Sequence, residues 1–228
     1  METKRFVVFT GLWPEDTAPK SLPKKKPEDF VVCADSGYIL CSLAGIKPDA
    51  VIGDFDSLPA GIVREIESLG IECIVHPIEK DDTDTMLCVK YGLAKGFDNF
   101  LIVGGIGGDF GHTMANIQTL SFLKDMGCAA EIVTEKERLF MADGGMSGTS
   151  DEAKPAAAST FSGRPGAKFS LISYTERCSG VSIENAKYGL SGAVLTQSYP
   201  VGVRNEFMNT EPVVVTVHSG RLLIVTDK

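Results

Sequence analysis

The chain has 228 residues, 43% of them hydrophobic, with 30 acidic against 22 basic side chains and a formal net charge of -8. That length holds one large or two small domains with a sizeable core, while the acidic balance argues against nucleic acid, whose phosphates recruit basic surface. No apolar run reaches the length of a membrane span and the start, Met1 to Arg5, lacks the apolar core of a signal peptide, so a cytoplasmic protein without a membrane partner is expected.

In chain order, Arg5 to Thr10 predicts a first strand ending at Gly11, followed by an exposed loop that holds Pro14, Pro19, Pro23, Pro27 and Lys24 to Lys26. Phe30 to Ala34 is a continuous apolar run of the kind found in parallel strands buried on both faces, and Asp35-Ser36-Gly37 turns it into a short helix. Ala50 to Gly53 is the next strand. It delivers Gly53-Asp54-Phe55-Asp56-Ser57, two carboxylates two residues apart with no basic neighbour in sequence. In an extended segment both point the same way while Phe55 turns back toward packing.

A helix through Ile62, Ile66 and Leu69 follows, then a strand from Glu72 to His76. A second acidic cluster, Asp81-Asp82-Thr83-Asp84, opens a helix from Thr83 to Lys95. If these strands are parallel neighbours, Asp54, Asp56, Asp81 and Asp84 converge at the carboxyl edge of one sheet, where α/β folds place ligands. Four carboxylates there suit a divalent cation carrying a polyphosphate. Either cluster alone also fits a solvated turn or a helix cap.

Phe100 to Val103 enters Gly104-Gly105-Ile106-Gly107-Gly108, and a helix from His112 to Met126 comes after it. Backbone can approach a phosphate closely in such a turn. It is neither a Walker A loop nor a dinucleotide fingerprint, and a plain tight turn is the other reading. Ala129 to Thr134 and Arg138 to Met141 are strands. From Asp143 to Gly166 large apolar side chains nearly vanish, which predicts a linker or mobile loop.

The remainder, Lys168 to Tyr174, Val181 to Glu184, Ala193 to Gln197, Val213 to His218 and Arg221 to Thr226, reads as short strands, with Ser219-Gly220 as a hairpin turn. The expected architecture is an α/β domain over 1–142 with a mostly parallel, three-layer sheet, a linker over 143–166, and a small all-β sandwich over 167–228. The six cysteines show no metal-ligand spacing and read as reduced thiols. The three histidines are far apart in sequence, which gives no support for a zinc site.

Several of these stretches resemble the thiamine pyrophosphokinase family. Cys33-Ala-Asp-Ser-Gly37 resembles its Ala-Asp-Gly-Gly element, Gly45-Ile-Lys-Pro-Asp49 and Gly53-Asp-Phe-Asp-Ser57 fit its signature, and Lys80 to Asp84 fits its Lys-Asp-x-Thr-Asp. Lys187-Tyr188 and Gly202-Val203-Arg204-Asn205-Glu206 resemble elements of its β domain. The resemblance implies transfer of the β,γ-pyrophosphoryl group of ATP to the hydroxyethyl oxygen of thiamine, giving thiamine diphosphate and AMP with Mg²⁺.

Carried over position by position, Asp54, Asp56, Asp81 and Asp84 are implied as catalytic, metal-binding carboxylates. Asp35, Thr83, Gly104, Gly105, Gly107, Gly108, Asp109, His112 and Asn116 fall on the implied nucleotide side, and Tyr188, Arg204 and Asn205 on the thiamine side. Tyr188 would stack on the cationic substrate; a core tyrosine is the plainer alternative. A homodimer with its active site at the subunit interface is also implied.

Three positions depart from the family's pattern. Its Gly-Gly-Arg-x-Asp-His stands here as Gly107-Gly108-Asp109-Phe110-Gly111-His112, so an arginine is replaced by Asp109 and an aspartate by Gly111. Arg204 replaces a small serine beside the expected thiazolium. These departures leave open a pyrophosphokinase for another hydroxymethyl heterocycle, and a catalytically weak protein that binds nucleotide or thiamine diphosphate.

Overall fold

A computed structural model describes residues 4–13, 22–79, 81–144 and 156–228. The prolines expected in the first loop at 14 and 19, Lys80, and residues 145–155 of the expected linker lie outside the described residues. The chain divides into two compact units, Met1–Glu135 and Lys136–Lys228.

The first unit alternates strand and helix: β1 (Phe6–Phe9), β2 (Phe30–Ala34), α1 (Gly37–Leu43), β3 (Ala50–Gly53), α2 (Ala60–Ser68), β4 (Glu72–Val75), α3 (Asp84–Ala94), β5 (Asn99–Val103), α4 (Phe110–Asp125) and β6 (Ala129–Val133). Its strands lie in the order β6-β5-β1-β2-β3-β4, every neighbouring pair parallel. The apolar runs Phe-Val-Val-Phe, Phe-Val-Val-Cys-Ala and Ala-Val-Ile-Gly become central strands because helices cover both faces. Val7, Phe9, Val31, Cys33 and Val51 pack with Tyr38 and Cys41 of α1 and Ile66 of α2. Alternate residues face the other way, where the Phe6 ring lies 6.3 Å from Tyr91 of α3. β4, whose first two residues are exposed, is the edge strand.

Starting from β1, the chain steps outward through β2, β3 and β4, then returns to the opposite side of β1 with β5. This reversal opens a crevice beyond the carboxyl ends of the strands, the usual ligand position in open α/β sheets. Thr83 caps α3, its hydroxyl accepting from the Met86 amide at 3.2 Å, and Asp109 caps α4.

The second unit holds two antiparallel sheets built from β7 (Glu137–Asp143), β8 (Ala157–Phe161), β9 (Lys168–Ser173), β10 (Arg177–Glu184), β11 (Leu190–Thr196), β12 (Asn205–Glu206), β13 (Val213–Val217) and β14 (Arg221–Asp227). One sheet runs β12-β9-β14-β7 and the other β11-β10-β13-β8. Their inner faces share one apolar core in which the Phe161 ring meets Phe169 and Phe207 edge-on. Val213, Val215 and Val217 are buried and the residues between them are not, the period of two that a half-buried strand requires.

Three expectations need correction. The division falls at Glu135/Lys136 rather than after 142, because β7 pairs along its whole length with β14 of the second unit. The expected linker contains β8, residues 157–161, which pairs with β13; its small side chains suit a strand that buries Phe161 inward and leaves little to hide on its outer face. Ser219-Gly220 does not close a hairpin, since β13 and β14 belong to different sheets. Gly220, at φ +89°, carries the chain across where a Cβ would lie 2.4 Å from the Arg177 carbonyl oxygen. Among the described residues no helix is long and apolar enough to cross a membrane.

Candidate active site

The carboxyl ends of the parallel strands surround a cleft of about 450 Å³. The segments after three strands supply its acidic lining: Asp35 after β2, Asp54 and Asp56 after β3, and Asp81, Asp82 and Asp84 after β4. His112 and Asn116 of α4 and the Thr10-Gly11-Leu12 turn after β1 form further parts of its wall. Both acidic clusters thus open into one cavity.

Their closest grouping differs from the expected four. Asp35, Asp54 and Asp56 each offer a carboxylate oxygen, and these oxygens all lie within 4.8 Å of one another; Asp81 and Asp84 line the same cleft without joining that set. Asp35, expected on the nucleotide side, therefore stands with the metal-type carboxylates.

The local backbone explains the grouping. β3 ends at Gly53, and Phe55 takes φ +62° instead of continuing extended, so its ring still packs on the core while the two aspartates come together by a turn rather than by strand alternation. The Asp56 amide donates to Asp54 Oδ1 at 3.3 Å. Asp35 also sits at positive φ, +46°. Left-handed backbone at non-glycine residues costs of order 1–3 kcal/mol and persists where surrounding structure enforces it.

The three carboxylates also act on one another electrostatically. A proton shared with Asp54, and the charge of Asp54, raise the Asp56 pKa above its usual value, with Asp35 and Asp84 adding to the effect. Asp35 is 6% exposed; its Oδ2 accepts from the Ser57 hydroxyl, and its Oδ1 is buried without a hydrogen-bond partner. A buried carboxylate oxygen left unsatisfied beside two more carboxylates is costly. An all-oxygen donor set of this kind fits a hard divalent cation such as Mg²⁺.

The glycine turn is placed differently from the expectation. Gly104, Gly105, Gly107, Gly108 and Asp109 do not line the cleft. The Gly104 amide donates to the Val133 carbonyl at 2.9 Å, Gly105 to the Leu12 carbonyl at 2.8 Å, and Gly107 to the Thr113 hydroxyl at 3.1 Å. Three amides that could have cradled a phosphate are therefore engaged. The turn instead anchors Asn116, whose side-chain amide donates to the Gly105 carbonyl at 2.9 Å. Asp109 accepts from the His112 amide at 2.8 Å and lies 2.9 Å from its Nδ1. These contacts hold its carboxyl below the usual carboxylate range.

In the second unit, Ile183, Tyr188, Leu190, Val201, Val203 and Asn205 surround a cavity of about 210 Å³. Tyr188 is 60% exposed, which removes the core-tyrosine alternative. Arg204 is exposed, sits at φ +60°, and does not line the cavity; its amide donates to the Ser170 hydroxyl at 3.0 Å. Glu206 accepts from Lys168 and, at 3.2 Å, from Lys187; these ammonium groups hold its carboxyl below the usual range.

The sequence missed Thr10, Gly11, Leu12, Ser36, Ser57 and Ile78 as lining residues. The Thr10-Gly11 pair had a usable signal, a strand end followed by a glycine that tolerates close approach: a Cβ on Gly11 would lie 2.1 Å from Ser36 Oγ.

Two family models match the chain in order, the thiamin pyrophosphokinase catalytic domain over residues 24–132 and the thiamin pyrophosphokinase vitamin B1 binding domain over residues 160–222. Among curated proteins, thiamine pyrophosphokinase of Bacillus subtilis (strain 168) is 38% identical over 86 residues, which is 38% of this chain and 40% of that protein. Thiamine pyrophosphokinase 1 of Oryza sativa subsp. japonica is 32% identical over 80 residues, 32% of this chain and 30% of that protein. The matched segments thus span less than half of those relatives. The crystal structure of thiamine pyrophosphokinase from Bacillus subtilis superposes with a TM-score of 0.81 at 20% identity, covering 99% of both chains. Thiamin pyrophosphokinase from Candida albicans gives 0.79 at 15% identity, covering 99% of this chain and 89% of that one. At such identities the structures speak for the fold.

Proposed function

Because the chain belongs to the thiamin pyrophosphokinase family, we propose that it transfers the pyrophosphoryl group of ATP to the hydroxyl of thiamine, giving thiamine diphosphate and AMP. The observation that carries this reading is the acidic cleft within the segment matched by the catalytic-domain model, with Asp35, Asp54 and Asp56 in mutual reach. A cleft so negative does not take up a polyphosphate by itself. Bound Mg²⁺ would neutralise phosphate charge as a Lewis acid, held by Asp54 and Asp56, with Asp35, Asp81 and Asp84 around it.

The chain's own residues then position the reaction. The thiamine oxygen forms a bond to the β-phosphorus, the bond from that phosphorus to the oxygen bridging it to the α-phosphorus breaks, AMP leaves, and the hydroxyl proton passes to a nearby carboxylate or to water. His112, Asn116 and Thr83 face the cleft and supply polar contacts to the nucleotide; Asn116 is held for this by its bond to Gly105. Gly104 to Gly108 serve by shaping that anchor. On the acceptor side Tyr188 offers an exposed aromatic face to the thiamine cation, with Asn205 fixing its backbone.

A homodimer in which the partner subunit completes the thiamine site is part of this proposal. Its support is the exposed apolar side chains near the smaller cavity, Tyr188, Tyr199, Val201 and Val203. Sedimentation at micromolar concentration tests it. We place the protein in the cytoplasm, in keeping with six free cysteines, five of them buried.

The deciding experiment is AMP release from ATP with Mg²⁺, with and without thiamine. Thiamine-dependent AMP is expected, and none at all would remove the enzyme reading. One observation favours a second reading, an altered acceptor: Arg204 stands in left-handed backbone where the resemblance places a small serine. AMP release across a panel of hydroxymethyl heterocycles separates the two.

A further inference from the structure

The loop after β3 closes back on the loop after β2 through a single side chain. Ser57 lies 22 residues after Asp35, and its hydroxyl donates to Asp35 Oδ2. The Asp35 backbone is tied to the same strand end, since its amide donates to the Ile52 carbonyl at 2.9 Å. Gly53 leaves the necessary room: a Cβ there would lie 2.9 Å from Asp35 Cβ and 3.2 Å from its Cα. Backbone and side chain are thus both anchored to the β3 end, at φ +46°.

These anchors work against electrostatics. They hold a buried carboxylate within 4.8 Å of the Asp54 and Asp56 oxygens, although like charges so close repel. The Ser57 hydroxyl occupies one carboxylate oxygen and fixes the rotation of the group, which leaves Oδ1 as its unsatisfied acceptor. Satisfying Asp35 alone would not call for an arrangement that keeps it against two further aspartates.

We propose that Ser57 is a positioning residue that makes the buried Asp35 carboxylate the third protein ligand of a divalent-cation site shared with Asp54 and Asp56. The proposal rests on the reading of this cleft as a cation-dependent site, and it assigns to one short loop both two ligands and the support of the third. Loss of a hydrogen bond that orients a ligand typically weakens metal binding about 10- to 100-fold.

The test is titration of Mn²⁺ alone into the full-length protein, for wild type, Ser57→Ala, Ser57→Thr, Asp35→Asn and the Asp35→Asn/Ser57→Ala pair, with the metal-free melting temperature of each. Ser57→Ala should bind Mn²⁺ about tenfold more weakly, and Ser57→Thr, which keeps the hydroxyl, should stay within about twofold of wild type. The pair should bind no more weakly than Asp35→Asn, because Ser57 then has no ligand to position.

Wild-type affinity in folded Ser57→Ala overturns the proposal, as does a double variant whose loss is the product of the two single losses. If Ser57→Ala does not fold, Asp35→Asn decides: full Mn²⁺ affinity there also overturns it. A wild-type protein that binds no Mn²⁺ removes the site. AMP release measured on the same samples keeps the two readings apart. A wild type that binds Mn²⁺ and shows the tenfold Ser57→Ala effect, yet releases no AMP, sinks the enzyme reading and leaves the positioning role standing.

Discussion

Asn205 holds Tyr188 by both ends of its amide: its oxygen accepts from the Tyr188 backbone amide at 3.0 Å, and its nitrogen donates to the Tyr188 carbonyl at 2.7 Å. The same oxygen also accepts from the Glu206 amide at 2.8 Å. A 5% exposed side chain thereby fixes the backbone beneath a 60% exposed ring.

The two residues should therefore respond differently to truncation. Tyr188→Ala makes no core cavity and should leave the melting temperature nearly unchanged. A cation over an aromatic face is worth about 0.5–2 kcal/mol, so the KM for thiamine should rise from twofold to about thirtyfold while that for ATP holds. Asn205→Ala strands part-buried backbone groups, at up to roughly 1–3 kcal/mol each, and should lower stability as well. Steady-state kinetics with calorimetry checks both, and equal KM changes for the two substrates in Tyr188→Ala would count against stacking.

The Asp54 and Asp56 pair predicts a pH effect. Asp56, sharing a proton with Asp54 and feeling its charge, has a folded pKa above 3.8. The fold therefore holds that proton more tightly than the unfolded chain does. The stabilising contribution is complete below about pH 4 and is lost as pH rises through the folded pKa. In Asp54→Asn the repulsion is gone. With a chelator present, the melting temperature of Asp54→Asn relative to wild type should climb between pH 4 and 7, and Mg²⁺ should then raise wild type alone. AMP release should be abolished. A difference that is flat with pH, or normal turnover at saturating Mg²⁺, would show the pair to be merely structural.

Much of this site was legible because it is carried by strand ends. Apolar runs such as Phe30 to Ala34 and Ala50 to Gly53 can be satisfied only between covered faces, so the carboxylates after them had to emerge along one edge. What local pattern could not supply was the left-handed backbone at Asp35 and Phe55. Those two residues decide which carboxylates meet; aspartate merely tolerates a positive φ and phenylalanine disfavours one, so local pattern does not announce either. The glycine turn is hard to place from sequence for a related reason. Glycines mark backbone freedom, but whether their amides face a ligand or a neighbouring loop depends on tertiary partners such as Leu12 and Val133. β8 was lost inside a run of alanine, serine and threonine because its inward anchor is the single Phe161.

The glycine turn can be tested directly. Gly108 sits at φ +61°, and its missing Cβ would meet only Leu12 Cδ2 at 3.4 Å, ordinary contact distance. Its requirement is conformational, so Gly108→Ala should cost roughly 1–2 kcal/mol of stability, while Gly108→Asn, whose side chain tolerates left-handed backbone, should cost less. In both, the KM for ATP should remain within about threefold of wild type, since the turn lies outside the cleft lining. A large rise in that KM for the stable asparagine variant would return the turn to the phosphate site.

The last prediction concerns Asp109 and Gly111, where the chain leaves its family's pattern. Asp109 stands away from the cleft lining and is engaged in capping α4: its carboxylate accepts from the His112 amide at 2.8 Å and is exposed to solvent. Because Asp109 caps the helix start, Asp109→Ala should lower the melting temperature slightly while turnover persists. Gly111 has space for a side chain except toward Asp109, whose Oδ1 would lie 3.1 Å from a Cβ there. Replacing both at once relieves that contact. Asp109→Arg with Gly111→Asp puts a long cationic side chain at the start of α4, whose His112 and Asn116 line the cleft, and the new carboxylate in the first helical turn favours the helix start. If activity is limited by the missing arginine and aspartate, the double variant should raise kcat for AMP release severalfold over wild type. Measuring kcat for Asp109→Ala and for the double variant decides the matter: a dead single variant beside an unimproved double variant would place Asp109 in the catalytic machinery and refute its role as a cap.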